Sequence, residues 1–500
     1  MQQIKKRILL IEPPFFRLFK DTYSLTKFPF SLAYLSGSIK KETSWEVRAY
    51  NADFSPNSEV VKISHFSNEG FHNYLNKLSN LSAPVWEEIK STISDFKPDV
   101  VGITTKTQNF ASARIIARLA KQIDRQIIVI VGGPHPSMAG KDVLRCQDID
   151  ISVRGEGERT IVELLDAISS GNGAFNKING ILYREDGNIV ETPAREFIQD
   201  LDTLSFPHKV SEKLLLDYDK YPIEAFQYIF AVRGCPYNCL FCGSRNIWSR
   251  KVRFRSPENV IEEIKGLQGK GLSSIHFDDD TFGVKRKYIE ALCDGMKKHC
   301  PGLKWSCEIN VKLVDEETVS MMRAAGCEKI EIGIESGNNE ILRQIRKNIT
   351  IEEAFTASEL IKKHGIYTQT FFILGFPHDT EETMNDTIKA MKKIKSDFIA
   401  CGIFTPYPGT EAFEFCKQHG LVDNGYDVSL YNHQSVDACF CLNIPRERFK
   451  VLVSRTFKWV DRRNYVNRLK RLVSADSFHK IKEVGISKSI DKGVRIIFGR

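Results

Sequence analysis

Chemistry in this chain can begin at three cysteines. Cys235, Cys239 and Cys242 lie within RGCPYNCLFCGS (233–244), a C-x3-C-x2-C spacing. Thiolates so spaced can converge on one small inorganic centre while the loop stays compact. Iron–sulfur clusters are ordinarily held by four cysteines, so a loop that supplies three leaves one iron of a four-iron cluster open to another ligand. Zinc is the alternative, but it needs a fourth protein ligand, and no histidine or further cysteine lies in this loop or close after it. The spacing favours a cluster over zinc or three free thiols.

Further chemistry-bearing residues gather where strands should end. FDDDTF (277–282) sets three carboxylates side by side. They repel one another and would welcome a cation, or Asp280 and Thr281 cap a helix. Glu308 follows one apolar run and Glu335 ends another in EIGIESG (331–337). A glutamate there is poorly placed for a core and well placed for an open mouth. Lys347, in LRQIRKNIT, reads equally as a helix-surface charge or as a partner for an anion.

Five hundred residues are too many for one core, so two to four domains are expected. Over 1–170, aliphatic runs at Arg7–Ile11, Glu46–Tyr50, Val100–Thr104, Ile127–Val131 and Ile151–Val153 alternate with helical patterns at 28–41 and 111–124. That reads as a flavodoxin-like, doubly wound α/β sheet, whose ligands bind beyond the carboxyl ends of its strands. Those ends carry Thr104 and Thr105, then Gly132, Gly133 and Pro134, then Gly155 and Glu156 within RGEGE. Glycines there let a bulky ligand approach the backbone. Residues 171–222 form a connector with a hairpin at 178–193 turning on Asp186-Gly187, a bridge between two sites or a plain linker.

In 223–422 strand and helix alternate six times, with strands at Tyr228–Val232, Ser274–Phe277, Lys304–Cys307, Lys329–Ile334, Thr368–Leu374 and Phe398–Phe404. This predicts a partial (β/α)6 barrel with its chemistry at the C-terminal strand ends, and the cysteine loop follows the first strand. Residues 423–500 read as a mostly helical, basic region. From Pro445 onward it holds sixteen Lys/Arg against five Asp/Glu, so the chain's net charge of +8 belongs to this tail. Its amphipathic pattern allows closure over substrate, a peripheral anionic or membrane-surface contact, or simple packing on the barrel. The remaining cysteines sit at wide spacings, apart from Cys439 and Cys441, and read as buried thiols. No apolar run suffices for a signal peptide or a membrane span, and cysteines without a disulfide pattern fit a reducing compartment, so a cytoplasmic protein is expected.

These motifs together resemble the radical S-adenosylmethionine (SAM) superfamily, in the subclass with an N-terminal cobalamin (B12)-binding domain. The loop matches that family's C-x3-C-x-aromatic-C motif, with Phe241 as the aromatic. LLIEPP, GIT, VGGPH and VRGEGE follow the order of the cobalamin-binding domain over most of 7–168. The resemblance implies a 4Fe–4S cluster on Cys235, Cys239 and Cys242, with SAM on the open iron. It places Asp279, Asp280 and Thr281 near the SAM amino group, although the usual Gly-Gly-Glu wording is absent. Glu308 and Glu335 would face SAM, with Glu335 toward the ribose, Lys347 toward its carboxylate and Gly375 beside adenine. Thr104, Thr105, Gly132, Gly133, Pro134, Gly155 and Glu156 would cradle cobalamin. One departure stands out: after the first strand this chain reads EPPFFRLFKD, without the Asp-x-His-x-x-Gly motif that supplies a lower ligand. Cobalt would then have no histidine below it, or the domain serves the fold alone.

The implied activity is cleavage of SAM to a 5′-deoxyadenosyl radical, followed by cobalamin-dependent methyl transfer to an unactivated carbon of a small-molecule or lipid-like substrate. A low-potential flavodoxin or ferredoxin would be the electron donor. A cyclase, oxidase or rearrangement enzyme that does not use cobalamin for methylation is the alternative. A methylthiolating RNA enzyme would carry three cysteines in its first domain, where this chain has only Cys146. A non-enzymatic iron–sulfur sensor would not need the carboxylates at the strand ends.

Overall fold

The structure, a computed structural model, describes residues 5–59, 63–66, 69–171, 173–423, 425–428 and 435–472. The part of the basic tail beyond 472 lies outside the described residues.

Strand β1 (Arg7–Glu12) shows how the first domain is built. Ile8 and Leu10 join one buried cluster, and Leu9 and Ile11 join another on the opposite face. A strand buried on both faces must be apolar throughout, and each such side chain contributes about 1.5–3 kcal/mol on burial. Around it lie β2 (Glu46–Asn51), β3 (Val100–Thr104), β4 (Ile128–Gly132) and β5 (Ile151–Val153), all parallel, in the order β2-β1-β3-β4-β5. Gly102 in β3 leaves the room that Leu10 occupies, since a Cβ there would stand 2.6 Å from the leucine Cδ2.

The sheet does not end at five strands. The hairpin expected within the connector, β6 (Ile181–Glu185) and β7 (Asn188–Glu191), pairs antiparallel with β5 and extends the sheet to seven. Leu182 is fully buried, which explains why the hairpin docks instead of hanging as a bridge.

The barrel begins unusually. A single first strand over Tyr228–Val232 is expected, yet the chain forms β8 (Tyr228–Ile229) and then β9 (Val232–Arg233). The break has a visible cause. Asp279 Oδ1 accepts the backbone N–H groups of Ala231 (2.8 Å) and Val232 (2.9 Å), so a carboxylate replaces the ladder partner there. Freed from the sheet, β9 pairs antiparallel with β10 (Arg253–Phe254), and the cysteine loop is the excursion between them. The remaining strands are β11 (Ser274–Phe282), β12 (Lys304–Ile309), β13 (Cys327–Glu335), β14 (Tyr367–Leu374) and β15 (Phe398–Ile403), in the parallel order β8-β11-β12-β13-β14-β15. The FDDDTF run is thus strand, not a loop beyond one.

Ser256 caps the first long barrel helix, Pro257–Gly269, by accepting the Asn259 N–H, as its Ser-Pro-Glu start predicts. The C-terminal helix Arg446–Leu472 lies along β15. Its Asn464 both donates to the Ile399 carbonyl (2.8 Å) and accepts the Ile399 N–H (3.0 Å). One buried cluster runs from Ile8 and Leu10 through the barrel to Phe449 and Val460, so a continuous core joins the first sheet, the barrel and this helix.

Candidate functional site

The cysteine loop leaves β9 at Gly234, which sits at φ +103° where a Cβ would run into the Lys251 carbonyl. Only glycine fits that turn. The Cys242 N–H donates to Cys239 O (3.2 Å), while Leu240 N–H reaches Ile345 O (3.0 Å), tying the loop to the barrel. All three thiols are half-buried and free of disulfides. Cys235 Sγ lies 3.3 Å from Thr281 Oγ1, and Cys242 Sγ accepts the Ser244 N–H at 3.5 Å. Burial raises the Cys239 thiol and pushes Cys242 up to about 12. Such thiols ionise when a metal withdraws their charge. Among the described residues no three potential ligands stand close enough to share a single ion. A mononuclear zinc site brings its ligands to one point, whereas each iron at a cluster corner takes its own thiolate. The donor set fits a cluster. Phe241 turns its ring against Phe376, with centroids 5.6 Å apart, and so pins the loop to the end of β14.

Carboxylates crowd the adjoining barrel mouth. Glu308 is exposed to the mouth, yet the surrounding protein and the facing Glu331, Asp278, Glu335 and Asp280 raise it to about 7. Glu335, at φ +72°, is buried and its Oε1 lies 2.8 Å from Lys347 Nζ. Lys347 is therefore no surface charge. Burial alone would lower it, but Glu335 and then Cys239 outweigh burial and hold it above its ordinary range. Gly333 makes the pair possible, since a Cβ there would overlap Glu335 Oε1.

Asp280 opens on the mouth, and burial by nearby protein raises its carboxyl although the Gly234 N–H bonds it. Asp279 points the other way. It is buried, engaged with Ala231 and Val232, and pushed up to about 7 by desolvation, so it shapes the strand instead of meeting the SAM amino group. Gly375, at φ +82°, has Phe449 where a Cβ would project, at 2.5 Å, so that side is filled by the C-terminal helix and not by open space.

Between this loop and the strand ends of the first sheet lies a cavity of about 450 Å³. Of the residues expected to cradle cobalamin, Thr104, Gly132, Gly133, Pro134, Gly155 and Glu156 line it, together with Asp280, Arg233 and Trp248 from the barrel side. Gly133 takes φ +106° with Thr105 O 2.8 Å from where its Cβ would be, and Gly155 takes φ +70° with nothing within 4 Å of that point. A flat ligand can rest on such backbone. Where a histidine-bearing loop would fall, Glu12, Phe15 and Phe16 line the wall. One expectation does not fit. Thr105 is buried, its hydroxyl donating to Gly132 O (3.2 Å), and it does not reach the cavity. The Glu156 carboxylate is also fixed by Arg233 (2.7 Å) and Arg253 (2.9 Å).

Sequence reasoning missed the other walls: Leu10, Lys27, Phe28, Phe230, Ile247 and Trp248. Apolar residues in unrelated segments carry no spacing signal, and only the fold assembles them. His135, which a Gly-Gly-Pro turn suggests for backbone capping, is buried against Phe110 (4.2 Å), its Nδ1 3.3 Å from Thr107 Oγ1. Cys293, Cys300, Cys307, Cys327, Cys439 and Cys441 are buried thiols, as their spacing suggests.

A doubly wound domain and an open barrel close one cavity beside a three-cysteine loop, the arrangement that the resemblance to two-cofactor radical enzymes implies. Comparison with known proteins agrees. The radical SAM superfamily profile matches residues 229–391 and that of the B12-binding domain matches 21–165. The chain is 33% identical over 420 residues to the uncharacterized methyltransferase PH0819 of Pyrococcus horikoshii, covering 83% of this chain and 84% of that one. It is 31% identical to the anaerobic magnesium-protoporphyrin IX monomethyl ester cyclase of Rubrivivax gelatinosus, covering 66% and 60%. In fold it is similar to TsrM from Kitasatospora setae, solved with cobalamin and a 4Fe–4S cluster (TM-score 0.65, 18% identity, 86% and 85% covered). The chain belongs to the radical SAM superfamily, in the group that carries a B12-binding domain, and is an enzyme.

Proposed function

We propose that this enzyme is a cobalamin-dependent methyltransferase that acts on an unactivated carbon of a small, largely apolar molecule. The observation that supports this reading is the cavity at the strand ends of the first sheet, walled by Phe28, Phe230 and Trp248, with charged residues such as Lys27, Arg233 and Asp280 also lining it toward the barrel. When bound, SAM on the cluster supplies a 5′-deoxyadenosyl radical for hydrogen abstraction, and cobalamin supplies the methyl group. The protein's own residues do the positioning. Cys235, Cys239 and Cys242 would hold the cluster. Asp280, Glu308 and the paired Glu335 and Lys347 would face the cationic, zwitterionic SAM. The Gly133 and Gly155 turns would let cobalamin approach the backbone. Lys27, bonded to Asp278 (2.7 Å), sits on the same wall and would steer a polar end of the substrate.

A small-molecule substrate suits relatives named for methyl transfer and for cyclisation. A lipid-like substrate fits the apolar lining. A low-potential flavodoxin or ferredoxin would supply electrons, and the basic C-terminal helix offers a place for a peripheral anionic contact. No helix among the described residues is long and apolar enough to cross a membrane. The second reading, a radical cyclase or oxidase with cobalamin unused for methylation, is favoured by cyclase relatives such as that of Rubrivivax gelatinosus.

Anaerobic purification with iron and cobalamin analysis, followed by SAM and dithionite, separates these readings. The expected products are 5′-deoxyadenosine and S-adenosylhomocysteine. Deoxyadenosine without S-adenosylhomocysteine would favour the cyclase reading, and neither product from cluster-loaded enzyme would end the radical one. Cys239→Ala is expected to lose the cluster, read as iron per chain.

A further inference from the structure

We propose that the first domain positions the iron–sulfur cluster, with Glu156, Glu158 and Met138 as the positioning residues. The cysteine loop hangs from a two-strand base in which Arg233 and Arg253 are register partners. The carboxylate partners of both arginines come from the first domain. Arg233 donates to Glu156 Oε1 (2.7 Å) and Glu158 Oε1 (2.6 Å), and Arg253 donates to both Glu156 oxygens (2.9 Å each) and to Ile198 O (2.5 Å). All four side chains are nearly inaccessible, at 11% exposed or less. A charge in such a place cannot leave its partner without stranding it in a poor solvent. The base of the loop is therefore registered against the turn that ends β5.

The far end is held as well. Gly243 directly follows Cys242, and a Cβ there would overlap Met138 Sδ, from the turn that ends β4. The Met138 carbonyl oxygen also lies 2.5 Å from where a Cβ of Gly409 would stand, and Asn246 donates to Gly409 O. Three close-packed surfaces leave no slack at the last cysteine. The turns that grip the loop are the Gly133–Ala139 and Gly155–Glu158 segments, and both contribute walls to the cavity. With the cofactor reading above, the segments that would seat cobalamin are the same ones that grip the loop whose cysteines would hold the cluster. Coupling of that kind acts in both directions.

The test reads the cluster itself. Wild-type enzyme, Met138→Ala and Glu156→Gln, each full length and reconstituted anaerobically, are compared by iron content and by EPR of the dithionite-reduced cluster titrated with SAM. The expected result is unchanged iron with a changed line shape and SAM binding weakened at least about fivefold. Ile116→Ala, in the outer core, serves as the control: it lowers the melting temperature and leaves line shape and SAM affinity unchanged. Wild-type line shape and affinity in Met138→Ala would overturn the proposal. If Glu156→Gln does not fold, Gly243→Ala, which displaces Met138 from the other side, takes its place with the same expectation. Hydroxocobalamin is then added to wild type. Retention on gel filtration with a shifted EPR signal, absent in Met138→Ala, supports the coupling, and retention with no shift overturns it. Failure to be retained counts against the cofactor reading, while the variants still decide the positioning.

Discussion

At the scale of residues, the site depends on pairing charge inside the protein. Lys347 and Glu335 are each about one-tenth exposed and 2.8 Å apart. Lys347→Met would leave a buried carboxylate without its cation, a loss of about 3 kcal/mol, and should weaken SAM binding with it. The double variant Lys347→Met/Glu335→Gln should recover part of the stability but not the binding, as urea denaturation and SAM titration would show. Asp279 behaves differently. Its carboxyl is raised to about 7 in the folded chain against about 3.9 when unfolded, so folding holds the proton more tightly. The stability it lends is fully present below about pH 4 and is lost as pH rises toward 7. Asp279→Asn keeps an oxygen for the Ala231 and Val232 N–H groups. It should therefore match wild type near pH 4 and exceed it near pH 7.5, by a few kcal/mol at most. Urea midpoints across that range would show parallel lines if Asp279 were ordinary.

At the scale of elements, the decisive unit is the hairpin of β9 and β10. Gly234→Ala would force a Cβ against the Lys251 carbonyl at a positive φ, and the loop has no second way to turn. The variant should keep its circular dichroism and lose most of its iron, which an iron assay and a far-UV spectrum together would establish. Much of this was readable before the fold was known. Cys235, Cys239 and Cys242 announce themselves because a cluster demands local spacing, and β1 and β4 because buried parallel strands are written in apolar runs. The hairpin itself was hidden. Its existence turns on Asp279 taking two backbone N–H groups nearly fifty positions away, and no local pattern records such a bond. The ion-pair partners of Glu156 were hidden for the same reason, since they lie 77 and 97 residues along the chain. Chemistry that depends on spacing is legible, and chemistry that depends on tertiary contact is not.

At the scale of the whole molecule, the two domains share one core. Ile8 and Leu10 of the first sheet belong to the same buried cluster as Ile330 and Ile332 of the barrel, and buried ion pairs cross the same boundary. Separate unfolding would expose apolar surface and strand four charges together. Calorimetry of the full chain should therefore show one cooperative transition, and two resolved transitions would contradict the shared core. The C-terminal helix closes this unit at its outer side. An open barrel ends in a strand whose outward N–H and C=O groups seek another strand. Asn464 answers both groups of Ile399 with one side-chain amide, as a single rung of a ladder would. Asn464→Ala is therefore expected to open that rung of β15 to a strand from another copy of the chain, which light scattering would detect.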